Sequence, residues 1–178
     1  MPSEIDSAKD NRLILVLCQN AAKICRMLSE VLTYCSYSTG DGTAVKNADF
    51  ILSDDPELSC DGMIRETVLF DETVSVEKEL LLFQNKITSY ECSVNLKEEG
   101  LSVVTYSPDH YSADVRCRNL SGNGSSNVFD VIANGILSRV QADKEKYSVE
   151  DVLVCTAVLT ASGLPLASVL GFFIKNSR

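Results

Sequence analysis

Four kinds of residue in this chain could do chemistry: an acidic loop, a lone histidine, seven cysteines and two glycine-rich turns. Asp54-Asp55, followed by Asp61-Gly62, is the densest acidic cluster in an expected loop. Carboxylate oxygens at that density can bind Mg²⁺ or Ca²⁺. The cluster lacks the Asp/Asn alternation and the closing Glu of an EF-hand, so the spacing predicts a solvated turn. His110 is the only histidine and stands in a turn-like segment, YSPDHYS. A catalytic pair could draw on any of Cys18, Cys25, Cys35, Cys60, Cys92, Cys117 and Cys155, but no local signature marks a nucleophile. No two cysteines form a CxxC pair, and a zinc site legible in sequence needs paired ligands at short spacing. GDG at 40–42 and SGNGSS at 121–126 are glycine-rich, yet neither ends in the Gly-Lys-Ser/Thr of a phosphate-binding loop. The second precedes an expected helix, where free amides could bind an anion; a flexible linker is the simpler reading. Arg116 and Arg118 share the polar face of an expected strand, where solvation is the default. The sequence therefore assigns no catalytic, cofactor-binding or metal-ligating residue, and no cofactor is expected.

An acidic pair after a short apolar strand, then Asp-Gly, resembles the phospho-acceptor strand of receiver domains over about a dozen residues. That family also carries an acidic pair after its first strand. Cys18-Gln19-Asn20 stand there in this chain, and the resemblance is not adopted.

Composition narrows the class. The chain has 178 residues, 45% of them apolar, enough to bury a core without staples. Its net charge of −9 repels phosphate backbones, which excludes nucleic acid as an expected partner. The N-terminal MPSEIDSAKD shows no basic n-region, and no cleavable apolar h-region lies near the start, so a secretory leader is not expected. An odd cysteine count points the same way, to a reducing, cytoplasmic setting. The sequons at Asn119 and Asn123 then carry no meaning.

The elements that must position these residues follow from periodicity. Residues 8–34 read as one long helix: Ile14, Leu17, Ala21, Ile24, Leu28 and Val31 recur at spacings of three and four. A competing reading makes Arg12–Leu17 a buried strand with a shorter helix after it. Loops rich in Gly, Ser and Asp fill 36–62, around a short strand at Phe50, Ile51 and Leu52. Residues 66–118 read as an antiparallel sheet. Val74, Val76, Leu80 and Leu82 hold one parity, and Tyr90, Cys92, Val94 and Leu96 alternate with polar residues. Tyr111, Ala113, Val115 and Cys117 do the same. Glu98-Glu99-Gly100 and Ser107-Pro108-Asp109 supply turns. LSGNGSSN, 120–127, reads as a connector. A helix is expected from about Val128 to Ala142, burying Phe129, Ile132, Ile136 and Val140.

The C-terminal run is the longest apolar stretch. From Val152 to Ile174 there is no charged residue. Ser148 and Asp151 have capping-box spacing before it. Gly163 and Pro165 suit a helix stop and a restart, which favours two buried helices over a membrane anchor through 152–174.

The expected fold is α+β: a long N-terminal helix, an antiparallel β-meander of four to five strands, and C-terminal helices on one sheet face. It is expected as a single domain, 1–178, with helix at 8–34, sheet at 66–118 and C-terminal helices at 126–174. Apolar helices needing cover point to a protein partner or a homo-oligomer formed through the C-terminal helices. The function expected is a non-enzymatic binding, adaptor, chaperone or assembly module, a profile shared by secretion chaperones. The alternatives are a tail-anchored membrane protein, or a small ligand binder or enzyme with a pocket between sheet and helices.

Overall fold

The computed structural model describes residues 11–41, 48–74, 80–98 and 101–177. In chain order the elements are β1 (Asn11–Leu17), α1 (Ala21–Tyr34), β2 (Thr39–Asp41), β3 (Phe50–Ser53), β4 (Met63–Phe70) and β5 (Asn85–Ser89). Then come α2 (Tyr90–Glu98), β6 (Val104–Ser107), β7 (Val115–Asn123), β8 (Ser126–Ala133), β9 (Ile136–Asp143), α3 (Val149–Ala161) and α4 (Leu166–Lys175). Nine strands form one sheet in the order β2-β3-β1-β4-β5-β6-β7-β8-β9. Every neighbouring pair from β2 to β7 is parallel, and β7-β8-β9 is an antiparallel tail.

The fold is thus α/β with a mostly parallel sheet, which corrects the expected α+β meander. Leu13, Ile14, Leu15 and Val16 are all buried, because β1 lies mid-sheet with both faces covered. A strand buried on both faces reads as a continuous apolar run, and here that run joined the helical stripe of α1 into one false helix. The competing reading, strand then helix, is the one the structure adopts. Tyr90–Glu98 alternates like a strand but is helix α2. Residues 120–127 are no connector: they carry the end of β7, a two-residue turn and the start of β8. The expected helix Val128–Ala142 is the β8-β9 hairpin, with Phe129, Ile132 and Val140 buried and Ile136 exposed. Residues 1–10, Gly42, Val76, Glu99 and Gly100, which carried parts of the sequence reading, lie outside the described residues.

The β8-β9 turn is Asn134-Gly135, both at positive φ (51° and 74°). That backbone suits the right-handed twist of a hairpin, and Asn-Gly is the pair that tolerates it. A Cβ on Gly135 would meet nothing within 4 Å, so any cost is conformational. Gly135→Val is expected to destabilise the protein by about 1–2 kcal/mol, read from urea denaturation midpoints.

One sheet face carries the main core. α1 turns Ile24, Met27, Leu28, Val31 and Leu32 inward, and α3 buries every residue from Asp151 to Leu159. Ser148 accepts from the Asp151 N–H while the Asp151 carboxylate accepts from the Ser148 N–H, the capping box expected at that spacing. Gly163 sits at φ 89° and closes α3, and α4 starts after Pro165. The apolar run 152–174 is therefore two short helices. No helix among the described residues is long and apolar enough to cross a membrane. The opposite sheet face holds a smaller cluster of Leu13, Leu15, Ile51, Val68, Phe70, Leu80 and Phe83.

Candidate functional site at the carboxyl edge of the parallel sheet

The strand order decides where a site can form. From β1 the chain crosses through α1 to β2 and β3 on one side; β4, β5 and β6 build outward on the other. At such a reversal the loops leaving the carboxyl ends of the two central strands part in opposite directions and leave a crevice. Here those strands are β1 and β4, and the loops are Cys18–Asn20 and Asp71–Val74.

Asp71 bridges the two loops. Its N–H donates to the Leu17 carbonyl (3.3 Å), and its carboxylate accepts from the Gln19 N–H (2.8 Å). The Thr73 N–H (2.9 Å) and hydroxyl donate to the same carboxylate. Partial burial pushes the Asp71 carboxyl up, but these hydrogen bonds outweigh it and hold the group below the ordinary carboxylate range.

Near the end of β6, at the same edge of the sheet, stands the buried phenol of Tyr106. Burial, then the nearby Glu150 carboxylate, Cys18, Cys92 and Asp71, push its ionisation well up, so it stays a neutral donor. Cys18 is likewise raised, chiefly by burial, with Asp71 and Glu150 adding to it. Glu150 reaches this edge from the first turn of α3 and is exposed. A thiol held protonated between carboxylates is a poor nucleophile. The same holds for Cys25, pushed up to about 12 by burial and the charge of Asp54, and for Cys155, raised by complete burial. Iodoacetamide at pH 8 should therefore leave Cys25 and Cys155 unmodified in the native protein, while denatured protein labels at both, as read by peptide mass spectrometry.

The turn between β1 and α1 occupies the place where a phosphate-binding loop would lie, but its chemistry differs. Cys18-Gln19-Asn20-Ala21-Ala22-Lys23 contains no glycine. A phosphate cradle needs glycines so that backbone N–H groups can close around the anion, and a lysine free to reach it. Here the Gln19 N–H is spent on Asp71, and Lys23 donates to both oxygens of Asp151 (2.8 and 2.7 Å). Asn20, at the helix N-cap, makes no side-chain cap. Carboxylates of the chain itself hold the groups that would serve a bound phosphate.

His110 also lies at this edge. Its ring stacks on Tyr90, with centroids 4.5 Å apart, and its Nε2 stands 3.5 Å from Glu91. The Ser107 hydroxyl donates to Glu91 (3.3 Å) and accepts from the His110 N–H (3.2 Å). The partners of His110 lie about 20 residues away in sequence, at the start of α2, so nothing near it announces them.

The other sequence candidates do not converge. Asp55 accepts from the Glu57 N–H (2.9 Å) in a local turn, and Asp61 precedes Gly62 at φ 73°. Among the described residues no group of three or more His, Cys, Asp or Glu could hold a metal ion. Gly124, from SGNGSS, serves the β7-β8 turn at φ 59°. Arg116 donates to the Ala113 carbonyl (2.8 Å), and Arg118 is exposed. Sequence reasoning missed Tyr106, Asp71 and Glu150. Only a correct parallel topology would have brought their loops to one edge.

The sequence matches no family model and no curated protein. The fold is similar to several solved ligases. A UDP-N-acetylmuramoyl-L-alanyl-D-glutamate–2,6-diaminopimelate ligase superposes with a TM-score of 0.70 at 14% identity, over 96% of this chain and 47% of that one. Folylpolyglutamate synthetase from Lactobacillus casei gives 0.61 at 8% identity, over 93% and 62%. MurF ligase from Thermotoga maritima, solved with ADP, gives 0.62 at 10% identity, over 90% and 48%. The chain spans about half the length of most of these enzymes. At such identities the likeness establishes fold alone. The proteins that share this fold are ligases. The expected non-enzymatic adaptor, with its chaperone-like and oligomer-forming helices, is corrected accordingly: α3 and α4 spend their apolar residues on their own sheet.

Proposed function

We propose that this chain is a ligase-type substrate-binding domain that receives an amine-bearing compound at the β1/β4 carboxyl-edge crevice and works in the cytoplasm. The observation that carries the reading is the charge of that crevice. The carboxylates of Asp71 and Glu150 push up the ionisation of Cys18 and Tyr106 at this edge, while the lysine and amide that could have met a phosphate are bound to carboxylates. Such an edge attracts an ammonium group and repels a triphosphate. One fold relative is named for joining 2,6-diaminopimelate, a diamine, which supports the same class of ligand. Free thiols at all seven cysteines suit a reducing compartment.

A second reading places a nucleotide in the crevice, favoured by the ADP in one fold relative. Thermal shift separates the two. With 2,6-diaminopimelate or lysine at a hundredfold excess over Kd, Tm should rise by roughly 5–10 °C. The rise should vanish in the Asp71→Asn/Glu150→Gln double variant. ADP with Mg²⁺ should leave Tm unchanged. A rise with ADP–Mg²⁺ and none with the amines would overturn the proposal in favour of the nucleotide.

A further inference from the structure

On the sheet face away from α1 and α3 lies a cavity of about 620 Å³, inside the range of small-molecule sites. Leu15, Leu17 and Phe83 supply apolar wall, and Arg65, Glu57 and Asp61 supply charge. Arg65 reaches this face because of a register shift. The β1-β4 ladder slips between Leu13 and Ile14, so that Arg65 pairs with Leu13 and Thr67 with Ile14, leaving Glu66 as the extra residue. Glu66 goes to Arg12, and Thr67 shares a hydrogen bond with Ser162 of α3 on the main-core face. Arg65 is separated from that carboxylate and left half-buried on the other side. Among the described residues no carboxylate lies within ion-pair distance of its guanidinium. A half-buried guanidinium with no ion-pair partner among the described residues invites an anion, and its planar fork fits a carboxylate with two parallel hydrogen bonds. Glu57 and Asp61, both exposed on the same lining, would repel a simple fatty acid but hold an ammonium group.

We infer that this cavity binds an apolar zwitterion, a free apolar amino acid or a short apolar peptide. Its carboxylate sits on Arg65, its ammonium faces Asp61 and Glu57, and its side chains lie on Leu15, Leu17 and Phe83. The site lies on the other sheet face from Tyr106, borders the carboxyl-edge crevice only at Leu17 and Val74, and does not depend on the function proposed there.

Calorimetric titration of the full chain tests it, with leucyl-leucine as the zwitterion, octanoate as a carboxylate without an amine, and octylamine as the reverse. Leucyl-leucine should bind at one site and more tightly than either control. Arg65→Gln should weaken it roughly ten- to a hundredfold at unchanged Tm, and Arg65→Lys should weaken it less. The Glu57→Gln/Asp61→Asn variant should weaken leucyl-leucine without weakening octanoate. Asp71→Asn, at the other site, should leave leucyl-leucine binding intact. Absence of leucyl-leucine binding, indifference to Arg65→Gln, or octanoate binding as tightly as the dipeptide would each overturn the inference.

Discussion

Removing residues 148–178 is expected to leave the chain unable to fold. α3 places Val152, Leu153, Val154, Cys155, Ala157, Val158 and Leu159 in the main core, and α4 adds Val169, Leu170, Phe172 and Phe173. Each large apolar side chain contributes about 1.5–3 kcal/mol when fully buried. Their sum matches or exceeds the roughly 5–15 kcal/mol by which a domain is stable at all. The shortened chain would also expose the sheet face that these helices cover, and should aggregate on size exclusion with no cooperative thermal transition. A soluble, cooperatively melting product would show the two helices to be dispensable. Leu153→Ala is the graded form of the same test. Its side chain is fully buried, and the truncation should cost about 2–5 kcal/mol in urea unfolding.

The second large effect is expected at the opposite end of α3. Arg12 donates from Nε (3.2 Å) and Nη2 (2.8 Å) to the two oxygens of Glu66. The same Nη2 donates to the Ser162 carbonyl at the end of α3, and the guanidinium lies 4.5 Å from the Phe50 ring centroid. One side chain thus ties β1, β3, β4 and α3 together. Glu66 is only 10% exposed at its side chain, so loss of Arg12 strands a nearly buried carboxylate. Arg12 is itself 31% exposed, and water will meet part of that loss. Arg12→Ala should therefore cost about 2–3 kcal/mol, a fall in Tm of roughly 5–10 °C. Arg12→Lys should recover little, because an ammonium cannot make the fork. Adding Glu66→Leu to Arg12→Met should recover most of the loss, since the cost lies in the uncompensated charge. A double variant no more stable than Arg12→Met alone would place the loss in packing instead.

What could be read from the sequence was local. Ser148 and Asp151 gave a cap, Gly163 and Pro165 a break, and Phe50–Leu52 a strand, because each rests on neighbours in the chain. The sheet was misread where burial came from afar. Leu13–Val16 is apolar at every position because helices cover one face and loops the other, so no alternation exists to mark a strand. The spacing of Phe129, Ile132, Ile136 and Val140 imitates a helix. Asn134-Gly135 between them is the stronger signal, a two-residue hairpin turn, and outweighs the periodicity. The candidate site was not legible, because Cys18, Asp71, Tyr106 and Glu150 come from four loops and ends that only parallel pairing gathers.

The place of α3 in the chain has a consequence for how the protein is made. β7, β8 and β9 pair with their immediate neighbours through two-residue turns, so this ribbon can close within microseconds of leaving the ribosome. The parallel strands cannot follow so soon. Their pairings span long loops, and the helix that packs against β4 through β8 is translated only after all of them. Until residues 149–161 emerge, the apolar inner face of β4 to β8 lacks the helix that covers it, and the nascent chain passes through its most aggregation-prone stage with every strand already synthesised.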